Sequence, residues 1–425
     1  MNNFSTRLRL VVMLFLEFGA WGAYLTSMGS YLAAVGLGTK IGLFFAMQGI
    51  VSIFMPTLIG IVADRFIPAQ KVLSLCHAIA GVFMLGACLY CSSVPEPSFG
   101  ILFTLYSISV AFYMPTVGLG NSVSYKALEK AGMDPVTDYP PVRVFGTVGF
   151  LCAMLFVNFM RDGNGVQFQN SYMQFCVSGV MSLVMCVYAL TMPNCPVSKG
   201  VKGQSLADAF GLKAFSLFKR REMALFFVFS MLLGAALQIT NGYANPFITS
   251  FKDNPAYAAT WGANNANALI SISQLSETIC ILLIPFFMKR FGIKGVMGIS
   301  MLAWVLRFGL FGVGNPGSGV WMFVLSCIVY GVAFDFFNIS GSLFVNQKTD
   351  KDIQSSAQGL FMLMSNGLGA TIGTLAAGVV VNHFVYNAAE PSWSNAWLVF
   401  AAYALVLLVL FMVIFPSDKK QGAAK

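Results

Sequence analysis

Three of the sixteen acidic residues, Glu17, Glu277 and Asp335, fall inside long apolar stretches rather than between them. An ionised side chain at the centre of a bilayer costs roughly 2.5–3.5 kcal/mol on insertion scales, so such groups usually face a water-filled pathway and serve transport. The competing reading is a buried acid held by a packing hydrogen bond.

Polar residues recur at helical spacing around these acids. Gln274 and Glu277 are three apart and share a helix face, as do Gln238 and Asn241. Phe334 and Asn338 are four apart, and Arg143, Thr147 and Phe150 follow at intervals of four and three. The amides can pair with a base edge or a sugar hydroxyl, and a carboxylate can accept from a vicinal diol. An aromatic ring can stack on a flat ring. Polar contacts between helices would use the same residue types, and that reading stays open for any single pair.

The elements that position these groups are membrane spans. Of 425 residues, 57% are hydrophobic and 10% charged, with a mean hydropathy of +0.75. Soluble domains carry roughly 25% charged residues, so lipid must cover most of this surface. The net charge of +9 is spread over short loops, which fits the positive-inside bias better than nucleic-acid binding. An odd count of nine cysteines scattered through apolar runs argues against a disulfide framework, and Cys88 and Cys91 read as packing thiols. With only His77 and His383, a metal site or a histidine-based triad is not expected, and no cofactor is implied. Arg7 and Arg9 precede an apolar stretch longer than a signal core, so the first span is expected to stay as an anchor.

A helical span needs about 20 apolar residues. Twelve candidates lie near 10–33, 41–63, 71–93, 100–125, 141–160, 171–192, 222–249, 266–288, 293–313, 319–345, 355–384 and 394–415. The expected class is an all-α membrane protein of twelve transmembrane helices in two six-helix bundles. The bundles cover 1–193 and 222–425 and are joined by a cytoplasmic linker, 194–221. That linker holds Lys199, Lys202, Lys213, Lys219, Arg220 and Arg221; it is short and poor in stacking aromatics, so it reads as solvated rather than nucleic-acid-binding. Lysine and arginine collect on the linker's side twenty-one to three, which puts both termini in the cytoplasm.

The halves carry faint internal similarity. Val110-Ala-Phe112 returns as Val332-Ala-Phe334, and Gly22-Ala-Tyr-Leu25 resembles Gly234-Ala-Ala-Leu237. A 6+6 repeat is expected to place a substrate site at the midplane between the halves. Glu277 falls about 11 residues, or roughly 16 Å, into its span, Glu17 is similarly deep from the other side, and Asp335 lies toward the cytoplasmic half. Arg307, near the outer end of the ninth span, is expected to snorkel to the headgroups.

Gly60-Ile-Val-Ala-Asp64-Arg65 resembles the loop motif of the major facilitator superfamily, although Pro68-Ala-Gln-Lys71 departs from its usual basic run. Longer strings narrow the resemblance. They include Met114-Pro-Thr-Val-Gly-Leu-Gly, the run from Ala131 to Arg143, Phe229-Ser-Met-Leu-Leu-Gly, Gln238-Ile-Thr-Asn241, Ser271-Ile-Ser-Gln-Leu-Ser-Glu-Thr278 and the run from Tyr330 to Gly341. Over essentially its whole length the chain resembles the bacterial nucleoside:proton symporter family of that superfamily. The resemblance implies a multi-pass protein of the bacterial cytoplasmic membrane that imports purine and pyrimidine nucleosides, such as uridine, adenosine and cytidine, with protons. It also implies a central substrate site to which Arg143, Thr147, Phe150, Gln238, Asn241, Gln274, Glu277 and Phe334 contribute, and it ties Asp335 to transport. One departure stands out: the family pattern has an amide at the position of Glu17, where an extra acid could add a protonation site or shift solute preference.

The expected mechanism is alternating access, with the two bundles rocking about the site and a proton on Asp335, or on Glu277, permitting reorientation. A monomer is expected. Rival readings are a proton-coupled sugar or oligosaccharide symporter and, from another class, a membrane enzyme or receptor. No nucleophile–base pair, metal cluster or phosphate loop supports an enzyme, and the short basic tail after about 416 offers a receptor no output domain.

Overall fold

The computed structural model describes residues 3–195, 197, 212–350 and 353–416. These are helical apart from turns and one isolated bridge between Arg161 and Gln167. Lys199, Lys202, Lys351 and the tail lysines lie outside the described residues, as does the side chain of Asp64 in the loop motif, whose Arg65 ends its helix. The chain divides into two compact units. One comprises Met1–Ala209 with Asn241–Pro246; the other comprises Phe210–Thr240 with Phe247–Lys425.

The first unit holds α1 (Asn3–Gly22), α2 (Met28–Ala34), α3 (Ile41–Arg65), α4 (Ala69–Ser93), α5 (Phe99–Lys130), α6 (Pro135–Phe159) and α7 (Met173–Ala189). The first expected span is thus two helices. Between them the chain keeps turning through Leu25 N to Trp21 O (3.0 Å) and Met28 N to Tyr24 O (2.8 Å). Ser27 Oγ, buried at the break, donates to Gln174 Oε1 on α7 at 3.0 Å. Helix α6 starts six residues before the expected 141. Pro135 opens it, a position where the missing N–H costs nothing. Asp138 in its first turn suits the positive helix end and pairs with Arg7 of α1 at 2.5 Å. Pro140 and Pro141 lie inside the helix, within its first turns.

In this unit α1 packs on α5, α6 and α7, α4 packs on α5 and α7, and α3 packs on α5. The α1–α6 contact is close because glycine stands on both sides. A Cβ at Gly149 would collide with the Phe15 carbonyl, and one at Gly22 with that of Phe150.

The second unit begins with a 3₁₀ helix, Leu212–Lys219, which buries Ala214 and Leu217 inside the segment read as a linker. It continues with α8 (Arg221–Ser250), α9 (Ile272–Val313), α10 (Val320–Lys348), α11 (Gln354–Met362), α12 (Ala370–Val381) and α13 (Trp393–Ile414). Residues Asn241–Pro246 of α8 are counted with the first unit. Wider π-helical turns, Leu363–Gly369 and Asn382–Tyr386, flank α12. Helix α9 packs on α10 and α13. Its 42 residues bend at Gly292, whose φ of 67° only glycine adopts readily. Two expected spans, 266–288 and 293–313, therefore meet at that bend. Trp397 is fully buried, 4.9 Å from the Phe311 ring. Lys348 binds Glu222 at 2.9 Å, tying the end of α10 to the start of α8.

Among the described residues nine helices are long and apolar enough to cross a membrane. The longest, Ala266–Val313, has 48 residues and spans twice across its bend. Helix α1, which carries Arg7, Arg9 and Glu17, and the 17-residue α7 supply two further crossings and complete twelve.

Candidate functional site

The close approach of α1 and α6 sets the first group of site residues. It brings Phe18 and Trp21 of α1 against Arg143 and Phe150 of α6. The Arg143 guanidinium carbon lies 3.9 Å from the centre of the Phe18 ring, a cation–π contact. Trp21 meets Phe150 edge to face at 6.2 Å and Tyr113 of α5 at 6.0 Å. One turn before Trp21, Glu17 is fully buried, and neither carboxylate oxygen has a hydrogen-bond partner. The carboxylate fills a recess on α5 that exists because residue 120 is glycine; a Cβ there would collide with it. The Arg143 charge acts on Glu17. Thr147, half-buried, stands one turn beyond Arg143 on α6.

The second group is built where α9 meets α10. Gly331 lets the α10 backbone approach that of Ser276, next to Glu277. Tyr330 is buried there, near enough to Glu277 for the two side chains to interact. Phe334 stacks on Tyr330 with centroids 6.1 Å apart and rings 10° from parallel. Asp335, 6% exposed, is near enough to Glu277 for their charges to interact, and its Oδ2 has no hydrogen-bond partner. Gln274 precedes Glu277 by one turn, and Gln238, buried, precedes Asn241 by one turn on α8.

Arg307 corrects the expectation that it snorkels. It is wholly buried in the second unit. Its NH1 donates to Ser326 O at 2.8 Å and Ser273 Oγ at 3.4 Å, and its Nε donates to Thr240 Oγ1 at 3.3 Å. The guanidinium carbon lies 4.4 Å from the Tyr330 ring centre, and the Glu277 charge reaches it. Depth along a span, which suggested the headgroups, does not reveal which face a residue occupies. The bundle interior supplies a carbonyl, two hydroxyls and an aromatic face to the guanidinium, of which Nη2 alone has no hydrogen-bond partner.

The structure thus brings together Glu17, Arg143 and Phe150 in one unit and Glu277, Phe334 and Asp335 in the other. Sequence reasoning passed over Trp21 and Tyr330 and placed Arg307 at the headgroups. Tyr330 could have been found from its spacing of four to Phe334. Of the expected residues, Phe334 lines a small cavity together with Asn338, Ser230, Trp304, Ser365 and Asn366. A larger, apolar cavity lies between α8, α12 and α13 beside Ala235, Gly373 and Phe400, away from every expected site residue. Cys88 and Cys91 are buried free thiols on α4. Among the described residues no cluster of His, Cys, Asp and Glu could hold a metal.

The chain matches the Nucleoside H+ symporter family over residues 4–420. The xanthosine permease of Escherichia coli is 45% identical over 414 residues, covering 97% of this chain and 96% of that one. The nucleoside permease NupG of Escherichia coli is 44% identical with the same coverage. A crystal structure of NupG superposes with a TM-score of 0.90, covering 97% of this chain and 100% of that one. A sucrose permease of Escherichia coli stands much farther off, at 23% identity. The chain therefore belongs to the Nucleoside H+ symporter family: it is a multi-pass transporter of the major facilitator fold that couples nucleoside movement to protons, and it is not an enzyme.

Proposed function

We propose that this symporter imports both purine and pyrimidine nucleosides, uridine, adenosine and cytidine among them, across a bacterial cytoplasmic membrane by alternating access. It acts as a monomer with both termini in the cytoplasm. Arg143, Thr147 and Phe150 in the first unit, and Gln238, Asn241, Gln274, Glu277 and Phe334 on α8, α9 and α10, bind the nucleoside. The base stacks on Phe150 or Phe334, the amides read its edge, and Glu277 accepts from the ribose hydroxyls.

Asp335 is the coupling acid. The observation that carries this reading is its buried Oδ2, unpartnered beside Glu277. Two carboxylates this near one another in an apolar span repel, and a proton on one relieves both the repulsion and the cost of burial. A proton taken up with solute on one side and lost on the other is then carried inward. One charge moved through 100 mV supplies ~2.3 kcal/mol. At 1.36 kcal/mol per decade, that sustains accumulation of roughly fifty-fold for one proton per nucleoside.

The reading is tested by uptake of labelled uridine into proteoliposomes, with and without a proton gradient, challenged by adenosine and by a disaccharide. Gradient-driven uptake blocked by adenosine and not by the disaccharide supports it. Block by the disaccharide would restore the sugar reading, and indifference to the gradient would remove the coupling role from Asp335.

A further inference from the structure

We propose that Glu17 is a second proton carrier, loaded and emptied within the first unit, and that its charge state sets the field in which the Arg143 guanidinium engages the nucleoside. This deepens the reading given above and rests on it.

Buried carboxylates that serve as structural fixtures are hydrogen-bonded. Glu17 is 0% exposed, and neither of its oxygens is hydrogen-bonded. Two neighbouring hydroxyls donate to backbone carbonyls, although that of Thr116 also comes within reach of the carboxylate. Tyr113 gives its hydroxyl to the backbone carbonyl of Glu17 at 2.7 Å, and Thr116 gives its hydroxyl to the Tyr113 carbonyl at 2.7 Å. Yet space for the carboxylate is provided on α5 by Gly120. The acid is accommodated without being satisfied.

Its surroundings supply a charge to respond to. On α6, Arg143 is the cation whose field reaches Glu17, and Tyr139 lies within reach of both charges. On α5 stands Tyr113, and on α4 His77, fully buried against Tyr113 with ring centres 5.8 Å apart. On its own helix Glu17 has only Phe18 and Trp21 as ring neighbours of the site. Phe18 holds the Arg143 guanidinium at 3.9 Å from its ring centre, so Arg143 does not swing in to pair with the acid. No Glu17–Arg143 ion pair is present among the described residues.

The step balances simply. The ionised carboxylate accepts one proton from the side from which nucleoside enters and becomes a neutral acid. No neighbouring anion then competes with the base or ribose oxygens beside Phe150 for the Arg143 guanidinium. Release of nucleoside returns the Arg143 field to Glu17, which loses the proton to the opposite side. Because every group involved belongs to the first unit, this proton is separate from the one on Asp335.

The test uses the full chain with Glu17→Gln, a neutral isostere. Infrared difference spectra of the purified protein between acid and alkaline pH should show a buried carboxyl band that E17Q loses and Asp335→Asn keeps. In proteoliposomes the number of protons moved per uridine, read from the voltage that just reverses flux, should fall by one in E17Q. Gradient-dependent uptake should persist. The proposal is overturned if E17Q leaves the infrared band unchanged, or if wild type and E17Q share one proton ratio. It is equally overturned if His77→Gln removes the extra proton while E17Q does not. Failure of the underlying symport reading would look different: wild-type uptake would ignore the gradient altogether.

Discussion

The guanidinium of Arg307 sits 4.4 Å over the ring of Tyr330, and Tyr330 in turn interacts with the side chain of Glu277. A buried cation therefore orients, through one aromatic ring, the acid assigned to the ribose. Arg307 spends its donors on Ser326, Ser273 and Thr240, which lie on α10, α9 and α8, so it also ties three helices together.

Arg307→Met should therefore lower both stability and affinity. A hydrogen bond to a charged group contributes about 1.5–3 kcal/mol, and the Ser326 carbonyl loses one outright. Thermal unfolding in detergent is expected to shift down by several degrees. Uridine should bind more weakly as Tyr330 loses its support. An unchanged midpoint with unchanged binding would show that the network is dispensable.

The aromatic assignments make a separable prediction. Stacking of a base on an aromatic side chain is worth about 1–3 kcal/mol by alanine substitution. Phe150→Ala or Phe334→Ala, whichever ring carries the base, should raise the uridine Kd roughly ten- to a hundred-fold at 1.4 kcal/mol per decade. Calorimetric titration of both variants identifies the ring, and neither Kd moving would remove stacking from the account.

Glu277→Gln addresses the sugar rather than the base. If the carboxylate accepts from the ribose, the variant should lose much of its preference for uridine over the 2′-deoxy analogue, measured by competition. A preference kept intact would place the ribose elsewhere.

Gly149→Ala probes what positions the first group. The added methyl meets the Phe15 backbone, which cannot move aside as a flexible side chain would. Overpacking of this kind costs about 1–3 kcal/mol. A lower melting midpoint is expected, together with weaker uridine binding as Arg143 and Phe150 shift away from Phe18 and Trp21. A stable variant with normal binding would mean that α1 and α6 adjust freely.

The membrane class was legible in the sequence because charge is scarce everywhere, and the twelve spans were legible because each is long and apolar. Local geometry was less so. Hydropathy sees neither the turn that divides α1 from α2 nor the Gly292 bend that makes two spans one helix. Apolar length put the start of α6 near 141, six residues after the Pro135 that opens it beside the Arg7–Asp138 pair. The acids were legible because an acid in an apolar run is conspicuous. Arg307 was misread for the converse reason: a long cationic side chain can reach headgroups from many depths, and only packing shows that it points inward. Tyr330 and Trp21 were hidden among 60 aromatic residues, counting 40 Phe, 14 Tyr and 6 Trp.

The most direct measurement is uridine accumulation by Asp335→Asn in proteoliposomes under an imposed proton gradient, run beside counterflow exchange in the same vesicles. The account predicts that exchange continues while uphill accumulation falls by the factor one proton supplies, roughly fifty-fold at 100 mV, because the nucleoside site remains and the Asp335 proton is gone. Accumulation that persists at the wild-type level would contradict it.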